Sequence, residues 1–460
     1  MNIISDLDFF SREISMWKYS PQRIMQIKGF LYYNCEHDIL YRKRTAIGGD
    51  GETMTVENLP NNRIIDNQYA KMVCQKANYI LGKPFVASSE NKEYERLLKK
   101  VFDARFRRTL KAAGKAMLCG GIAWLYPFYN ENGDFWFKLF PAYEILPFWK
   151  DSGHTVLDCA VRLYQTEVYD GLSKRIAEKV EIFTKNGVQR FDFENGRLER
   201  DKDAPDFLPY VTAVGGDGNV SQASFGVVPL VALKYSEQEL PLLKRIKTLQ
   251  DGINVMLSDF ANNLQEDARN TILILKNFDG ENLGEFRRNL AAYGAIKVRS
   301  DGNSGGGVDT ISVEVNAENY QVILKLLKRA LVENAMGYDS GEQRTSINLN
   351  QMYIRSMYSD IDLDANDMET ELQASFADII RFVNKHFLNV FGRDYSGEEV
   401  DIVFNRDMLI NESEIIESCV SSKGILSEET IVEQHPWVNN VQKELNRLNR
   451  EVDRASSCDA

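Results

Sequence analysis

Histidine is scarce in this chain, and the four present (His37, His154, His386 and His435) are dispersed. None stands four residues from another and no His-Glu-x-x-His run occurs, which excludes the helical zinc-hydrolase signature. The one Gly-x-Ser-x-Gly string, Gly302-Asn303-Ser304-Gly305-Gly306, falls in a glycine-rich loop expected between two strands rather than on a strand-to-helix turn, so no nucleophile elbow of an α/β hydrolase is assigned. The six cysteines (Cys35, Cys74, Cys119, Cys159, Cys419, Cys458) contain no Cys-x-x-Cys pair, and they read as free thiols of a reducing compartment. No stretch approaches the ~20 apolar residues that span a bilayer. Residues 1–10 carry acids and no basic segment ahead of an apolar run, so no secretory leader is expected, and the expectation is a soluble protein made in the cytoplasm. The glycine loops at 48–51 and 302–307 lack the following Lys-Ser/Thr of a phosphate cradle and read as connections. Excess basic charge is lacking too. A net charge of −12 argues against avid nucleic-acid binding, because neutralising phosphates needs a basic surface. It leaves room for a surface past which DNA moves without sticking.

What is present is a long helical pattern. From 347 to 391 apolar residues recur at Ile354, Met357, Ile361, Ala365, Met368, Leu372, Phe376, Ile379, Val383 and Phe387, and no Pro or Gly interrupts before Gly392. Steps of three and four define one buried helical stripe. A helix of ~45 residues is roughly 67 Å long, whereas globular helices average ~11–12 residues. Such an element suits a large assembly better than a compact enzyme. With 460 residues, 43% hydrophobic and 27% charged, the chain has room for two to four domains.

The remaining pattern predicts an α+β fold, mostly helical. Two short helices are expected in the first 45 residues. A helix over 63–81 should stop at Gly82 and Pro84, and another should run over 92–118. Residues 122–228 read as antiparallel β, with Asn132-Gly133, Asn186-Gly187 and Asn195-Gly196 marking type I′ hairpin turns. Ser236 and Glu239 suggest a capping box, with Pro241 near the helix start. The seam Leu242, Ile246, Leu249, Ile253, Met256, Phe260 then calls for a neighbouring helix. A small α/β insert is expected over 268–315, with strands at 271–278, 296–299 and 310–315 and a helix at 281–293. Asn316 can cap a helix over 317–336. A polar loop, 337–346, leads into the long helix. A strand at 400–404, a helix at 412–421 and a charged helix from 437 to about 454 complete the chain.

Two clusters are candidates for chemistry. Asp360, Asp362, Asp364 and Glu371 occupy positions 1, 3, 5 and 12 of a calcium-loop register. Position 6, where a glycine is needed, is Ala365, and the run lies inside the long helix, so a solvated helix face is the expectation and no metal site is assigned. Lys325 and Arg329 are four apart with Lys328 beside them. They form either a solvated face with acidic partners or a surface that meets a polyanion in passing. No catalytic constellation and no cofactor site emerge.

Several short motifs resemble one known family. These are Asn61-Asn62-Arg63-Ile64 with Tyr79-Ile80-Leu81-Gly82-Lys83-Pro84, then Gly424-Ile425-Leu426-Ser427, His435-Pro436-Trp437-Val438 and the Glu/Arg-rich stretch 444–451. Their order, with helix, insert, helix, loop and long helix between them, is similar to portal proteins of long-tailed phages of Gram-positive bacteria. The resemblance implies a wing (1–235 with the long helix 347–400), stem helices (236–267 and 316–336), a clip (268–315), a tunnel loop (337–346) and a crown (401–460). It implies a ring, dodecameric in this family, at one capsid vertex, through which double-stranded DNA passes. Terminase large subunit, scaffolding and major capsid proteins and a head-tail connector would be partners, with no membrane involved. Lys325, Lys328, Arg329, Gln343, Arg344 and Thr345 are then the candidate DNA-facing residues. The alternatives are a non-viral helical scaffold or adaptor, and a metal-dependent nucleic-acid enzyme using the Asp360–Glu371 carboxylates.

Overall fold

The computed structural model describes residues 6–47, 52–55, 59–170, 173–201, 204–214, 220–267, 272–276, 307–311, 317–339, 351–406, 412–438, 441 and 444–450. Two compact units emerge, each assembled from separate stretches of chain. The first takes Met1–Asn34, Tyr69–Ile246 and Val332–Ala460; the second takes Cys35–Gln68 and Lys247–Leu331. The named helices are α1 (Leu7–Lys18), α2 (Pro21–Tyr33), α3 (Gln68–Leu81), α4 (Lys92–Val101), α5 (Ala104–Gly120), α6 (Leu242–Asp267), α7 (Ala317–Asn334), α8 (Gln351–Phe391), α9 (Glu412–Ser421) and α10 (Glu428–Gln434). Helix and strand are both extensive, so the class is mixed α and β.

In the first unit an antiparallel sheet orders its strands 197–200, 187–194, 173–183, 157–170 and 145–149, with Leu208–Pro209 pairing onto the second of these. Amphipathic α1 covers one face. Phe10, Ile14 and Trp17 pack with Val161, Leu163, Val180, Ile182, Phe191 and Phe193, residues that alternate along their strands as one buried sheet face demands. A second sheet joins Val231–Lys234, Ile122–Tyr129 and Phe135–Pro141.

Of the three Asn-Gly pairs, one makes the expected turn. Asn195 and Gly196 both have positive φ, 52° and 77°, and join two directly paired strands. At Asn132-Gly133 only the glycine is left-handed, and the Asn130 side chain accepts from the Asn132 and Asp134 amides. Neither residue of Asn186-Gly187 has positive φ. Gly187 is needed for space, since a Cβ there would stand 2.4 Å from the Leu208 carbonyl oxygen.

Two helix expectations are corrected. The 92–118 pattern is broken into α4 and α5, because Asp103 turns its side chain onto the Phe106 amide at 2.9 Å and caps a new helix. The helix expected from 63 starts at Gln68, and the residues before it are extended. The Ser236–Glu239 capping box is also overturned. Glu239 has φ 54° and is buried, accepting from Lys234 Nζ at 3.0 Å and pairing with His154 Nδ1 at 2.9 Å, and α6 begins at Leu242, after Pro241.

Helix α8 runs 41 residues and ends at Gly392, φ 65°. Ile361, Ala365, Met368, Leu372, Phe376, Ile379, Val383 and Phe387 are all buried. Phe376 sits among the rings of Phe85, Phe102, Phe106 and Phe404, with centroids 5.0–6.2 Å away. Strand 401–403 pairs with 86–88, joining the late chain to the early one. The insert strand expected at 310–315 is seen at Gly307–Ile311, antiparallel to Ile272–Lys276. The predicted insert helix at 281–293 and strand at 296–299 lie outside the described residues. Helix α10 was not expected; Ser427 caps it by accepting from the Thr430 amide. Residues 444–450 of the predicted last helix are helical.

Helices α2 and α5 cross at Gly29. An added Cβ there would fall 1.9 Å from the Cys119 carbonyl oxygen, and the backbone has no rotamer with which to yield. Gly29→Ala is therefore expected to destabilise the first unit by about 1–3 kcal/mol or more, read as a drop in melting temperature. An unchanged melting temperature would refute the close crossing.

Candidate functional site

The candidate cations lie on α7. Lys325 and Arg329 are exposed, and Lys328 is half-buried. Lys328 Nζ is 2.6 Å from Asp66 Oδ2. Lys328 thus has the acidic partner that a structural reading asks for. Gln343, Arg344 and Thr345, the candidate residues of the loop, lie outside the described residues.

Asp66 belongs to the extended segment 61–67, which lies along α6 in the second unit. Gln250, Asn254, Ser258 and Asn262 form a polar stripe on α6, each at most 2% exposed. The Asn62 amide donates to Asn262 Oδ1 at 2.7 Å, the Ile64 amide to Ser258 Oγ at 2.9 Å and the Asp66 amide to Asn254 Oδ1 at 3.0 Å. Gln250 Nε2 donates to the Asp66 carbonyl at 2.8 Å. Alternate residues of an extended chain repeat every ~6.6–6.8 Å, and four residues of helix rise ~6.0 Å. The mismatch stays below about 1 Å per step, so three rungs fit without strain. His37, fully buried, lies 2.8 Å by Nδ1 from Asn254 Nδ2.

The apolar seam that asked for a helix finds one only in part. Phe260 meets Tyr320 of α7 at 4.9 Å between centroids, while Leu249, Met256 and Phe260 stay half-buried. Leu242, Ile246 and Ile253 of the seam are fully buried, and the polar face is buried as completely. Sequence reasoning missed it because four polar residues at helical spacing look like a surface facing water.

In the first unit, the base of the loop after α7 is held by a buried charge pair. Lys76 of α3 and Asp364 of α8, with side chains 1% and 5% exposed, are 2.6 Å apart. Lys76 Nζ also donates to the Met336 carbonyl at 3.0 Å. Tyr235 Oη donates to Asp364 Oδ1 at 2.8 Å, and Arg245 Nη1 reaches the same oxygen at 3.3 Å. Burial lowers the Lys76 pKa despite the opposing pull of Asp364. Met336, a non-glycine with φ 51°, turns the chain so that the Tyr338 ring lies tilted against Tyr358, 4.5 Å between centroids. Gln75 then clasps the Tyr338 backbone, donating to its carbonyl at 2.8 Å and accepting from its amide at 3.2 Å.

The carboxylates on α8 do not converge. Positions 1, 3 and 5 of a calcium loop become, on a continuous helix, groups about 200° apart in succession. Asp360 is exposed. Asp362 accepts from Tyr79 Oη at 2.5 Å and Arg406 Nη1 at 2.6 Å. Asp364 is in the buried pair, and Glu371 is half-buried, its pKa raised by desolvation. The expected solvated face is therefore corrected: Asp362 and Asp364 are structural ion-pair partners. Among the described residues no group of three or more His, Cys, Asp or Glu is placed to hold a metal ion.

With this geometry in view, comparison with known proteins gives the class. The family model described as "Phage portal protein, SPP1 Gp6-like" matches residues 18–457. The portal protein of Bacillus phage SPP1 is 28% identical over 440 residues, covering 95% of this chain and 85% of the relative. That of Clostridium phage phiCD119 is 28% identical over 435 residues, covering 92% and 91%. A chain in the solved virion of a native gene transfer agent particle aligns at 13% identity and a TM-score of 0.43, over 78% of this chain and 87% of its own. The molecule is a structural protein of phage particles. This chain belongs to the SPP1 Gp6-like family of phage portal proteins, a family of structural proteins rather than enzymes. No helix among the described residues is long and apolar enough to cross a membrane.

Proposed function

We propose that the chain assembles into a dodecameric ring at one capsid vertex, the conduit for DNA packaging and ejection. The family match across residues 18–457 carries this reading. On it, α6 and α7 form the stem, residues 268–315 the clip, 337–346 the tunnel loop, and 401–460 the crown. Residues 1–235 with the long helix α8 form the wing. The terminase large subunit supplies the work of packaging, the head-tail connector takes its place later, and scaffolding and major capsid proteins meet the ring during assembly in the host cytoplasm. The finished ring resides in the virion.

Lys325, Lys328 and Arg329, with Gln343, Arg344 and Thr345 of the loop, are the residues assigned to meet DNA in transit. Few cations suit the task. Each phosphate contact adds a salt-sensitive hold, and a channel that grips stalls. Lys328 shares its charge with Asp66 at 2.6 Å, which weakens its grip further. Neutralising all three (Lys325→Gln, Lys328→Gln, Arg329→Gln) is expected to lower packaged DNA per particle while rings still form. Packaging at the unsubstituted level would refute the assignment.

The conduit itself is tested by light scattering on a sizing column with negative-stain images. A holed ring near twelve times the 52.6 kDa chain mass is expected. A chain that stays monomeric with scaffolding and capsid proteins present would overturn the reading.

A further inference from the structure

The face made by α4, α5 and the turn before them carries charge opposite to that of the whole molecule. Between Lys83 and Lys115 stand ten Lys and Arg against four Asp and Glu, in a chain of net charge −12. Lys83, Arg107, Arg108 and Lys111 line one cleft of about 330 Å³ that no acidic residue enters. Arg96, Lys100, Arg107 and Arg108 are exposed. Lys99 is taken by Glu95 and Lys83 donates to the Arg406 carbonyl at 3.3 Å. Among the described residues, Arg96, Lys100, Arg107, Arg108 and Lys111 have no ion-pair partner.

Helix stability does not explain these charges. Arg105 and Arg107 fall in the first turn of α5, where the positive end of the helix dipole disfavours cations. Nor does the face resemble a protein-docking surface, whose centre is apolar and depleted of Lys. Between residues 92 and 115 no large apolar side chain is exposed. In the cleft of Lys83, Arg107, Arg108 and Lys111, guanidinium and ammonium groups crowd without a carboxylate, which fits a polyanion, and phosphates spaced along a duplex fit cations spread along a helix.

We propose that this face binds the phosphate backbone of double-stranded DNA, at a site distinct in sequence from the α7 cations and the loop. The choice of a circular probe rests on the ring reading above; the charge of the face does not.

A covalently closed circular duplex cannot thread a closed ring, so its binding reports outer surfaces only. Full-length protein is expected to bind such a plasmid at about 50 mM salt, with affinity falling steeply as salt rises. The variant R107E/R108E/K111E should bind at least roughly tenfold more weakly. Its log–log salt slope should be shallower by about 2.7, because three phosphates are no longer neutralised. The milder R107Q/R108Q should move in the same direction with an unchanged circular dichroism spectrum, and it decides the matter if the triple variant fails to fold. The proposal is overturned by absence of plasmid binding or by binding indifferent to the α5 substitutions. Displacement by polyglutamate ahead of an equal charge of competitor duplex would also overturn it, because the partner is then an acidic protein.

Discussion

Lys76→Met is expected to destabilise the first unit by about 3–5 kcal/mol, the usual cost of stranding one member of a buried pair. The side chain has nearly the same length, so the loss is electrostatic. Asp364 would keep Tyr235 and the partly exposed Arg245 but lose the ammonium at 2.6 Å, and the Met336 carbonyl would lose its donor. The double variant Lys76→Met, Asp364→Leu should recover part of that loss, because two apolar groups in place of a buried pair are often neutral, while the Tyr235 hydroxyl and the Met336 carbonyl stay without their partners. Urea unfolding midpoints of the wild type, single and double variants make the measurement. A single variant as stable as the wild type would show that the pair does not hold the loop base.

Asn254→Leu is the second large effect. The substitution keeps volume and adds hydrophobicity, yet it removes the acceptor of the Asp66 amide and of the Gln250 side chain, and one partner of buried His37. Each polar group left unpaired in the interior costs about 1–3 kcal/mol, so a loss of roughly 2–5 kcal/mol is expected in the second unit. Amide exchange at Ile64 and Asp66 should accelerate, because segment 61–67 comes away from α6. Unaltered exchange at both amides would mean that the ladder is incidental. Ser258→Ala, which removes one rung, should show a smaller effect of the same sign.

These two sites also mark how far sequence carries. The stripe from Ile361 to Phe387 was legible because apolar periodicity is a one-sided signal, and every one of those side chains is buried. Asn195-Gly196 was legible because a type I′ turn needs two residues that tolerate positive φ, and both adopt it. The ladder was not legible. Gln250, Asn254, Ser258 and Asn262 have the spacing of a water-facing stripe, and the backbone that replaces water comes from about 190 residues earlier in the chain. Lys76 likewise reads as an ordinary helix lysine until Asp364, 288 residues away, is seen beside it. The break at Asp103 was missed because apolar residues continue in helical phase through Phe102 and Phe106, while a single Asp side chain decides the cap. The cations of α7 were visible as a cluster. Of the acids near them, Asp66 takes Lys328 from outside the helix, where i, i+4 reasoning does not look.

The pairing of strand 86–88 with 401–403, and of Lys76 with Asp364, has a consequence for synthesis. At ~5–20 residues per second, the ribosome needs about 15–60 s to deliver residue 364 after residue 76 has been made. During that interval Lys76 lacks its carboxylate, and Phe85, Phe102 and Phe106 lack Phe376. The first unit therefore matures after, not during, translation of its first half. A growing chain with these surfaces uncovered is a natural client for chaperones, and the yield of competent subunits should fall when chaperone capacity is limiting.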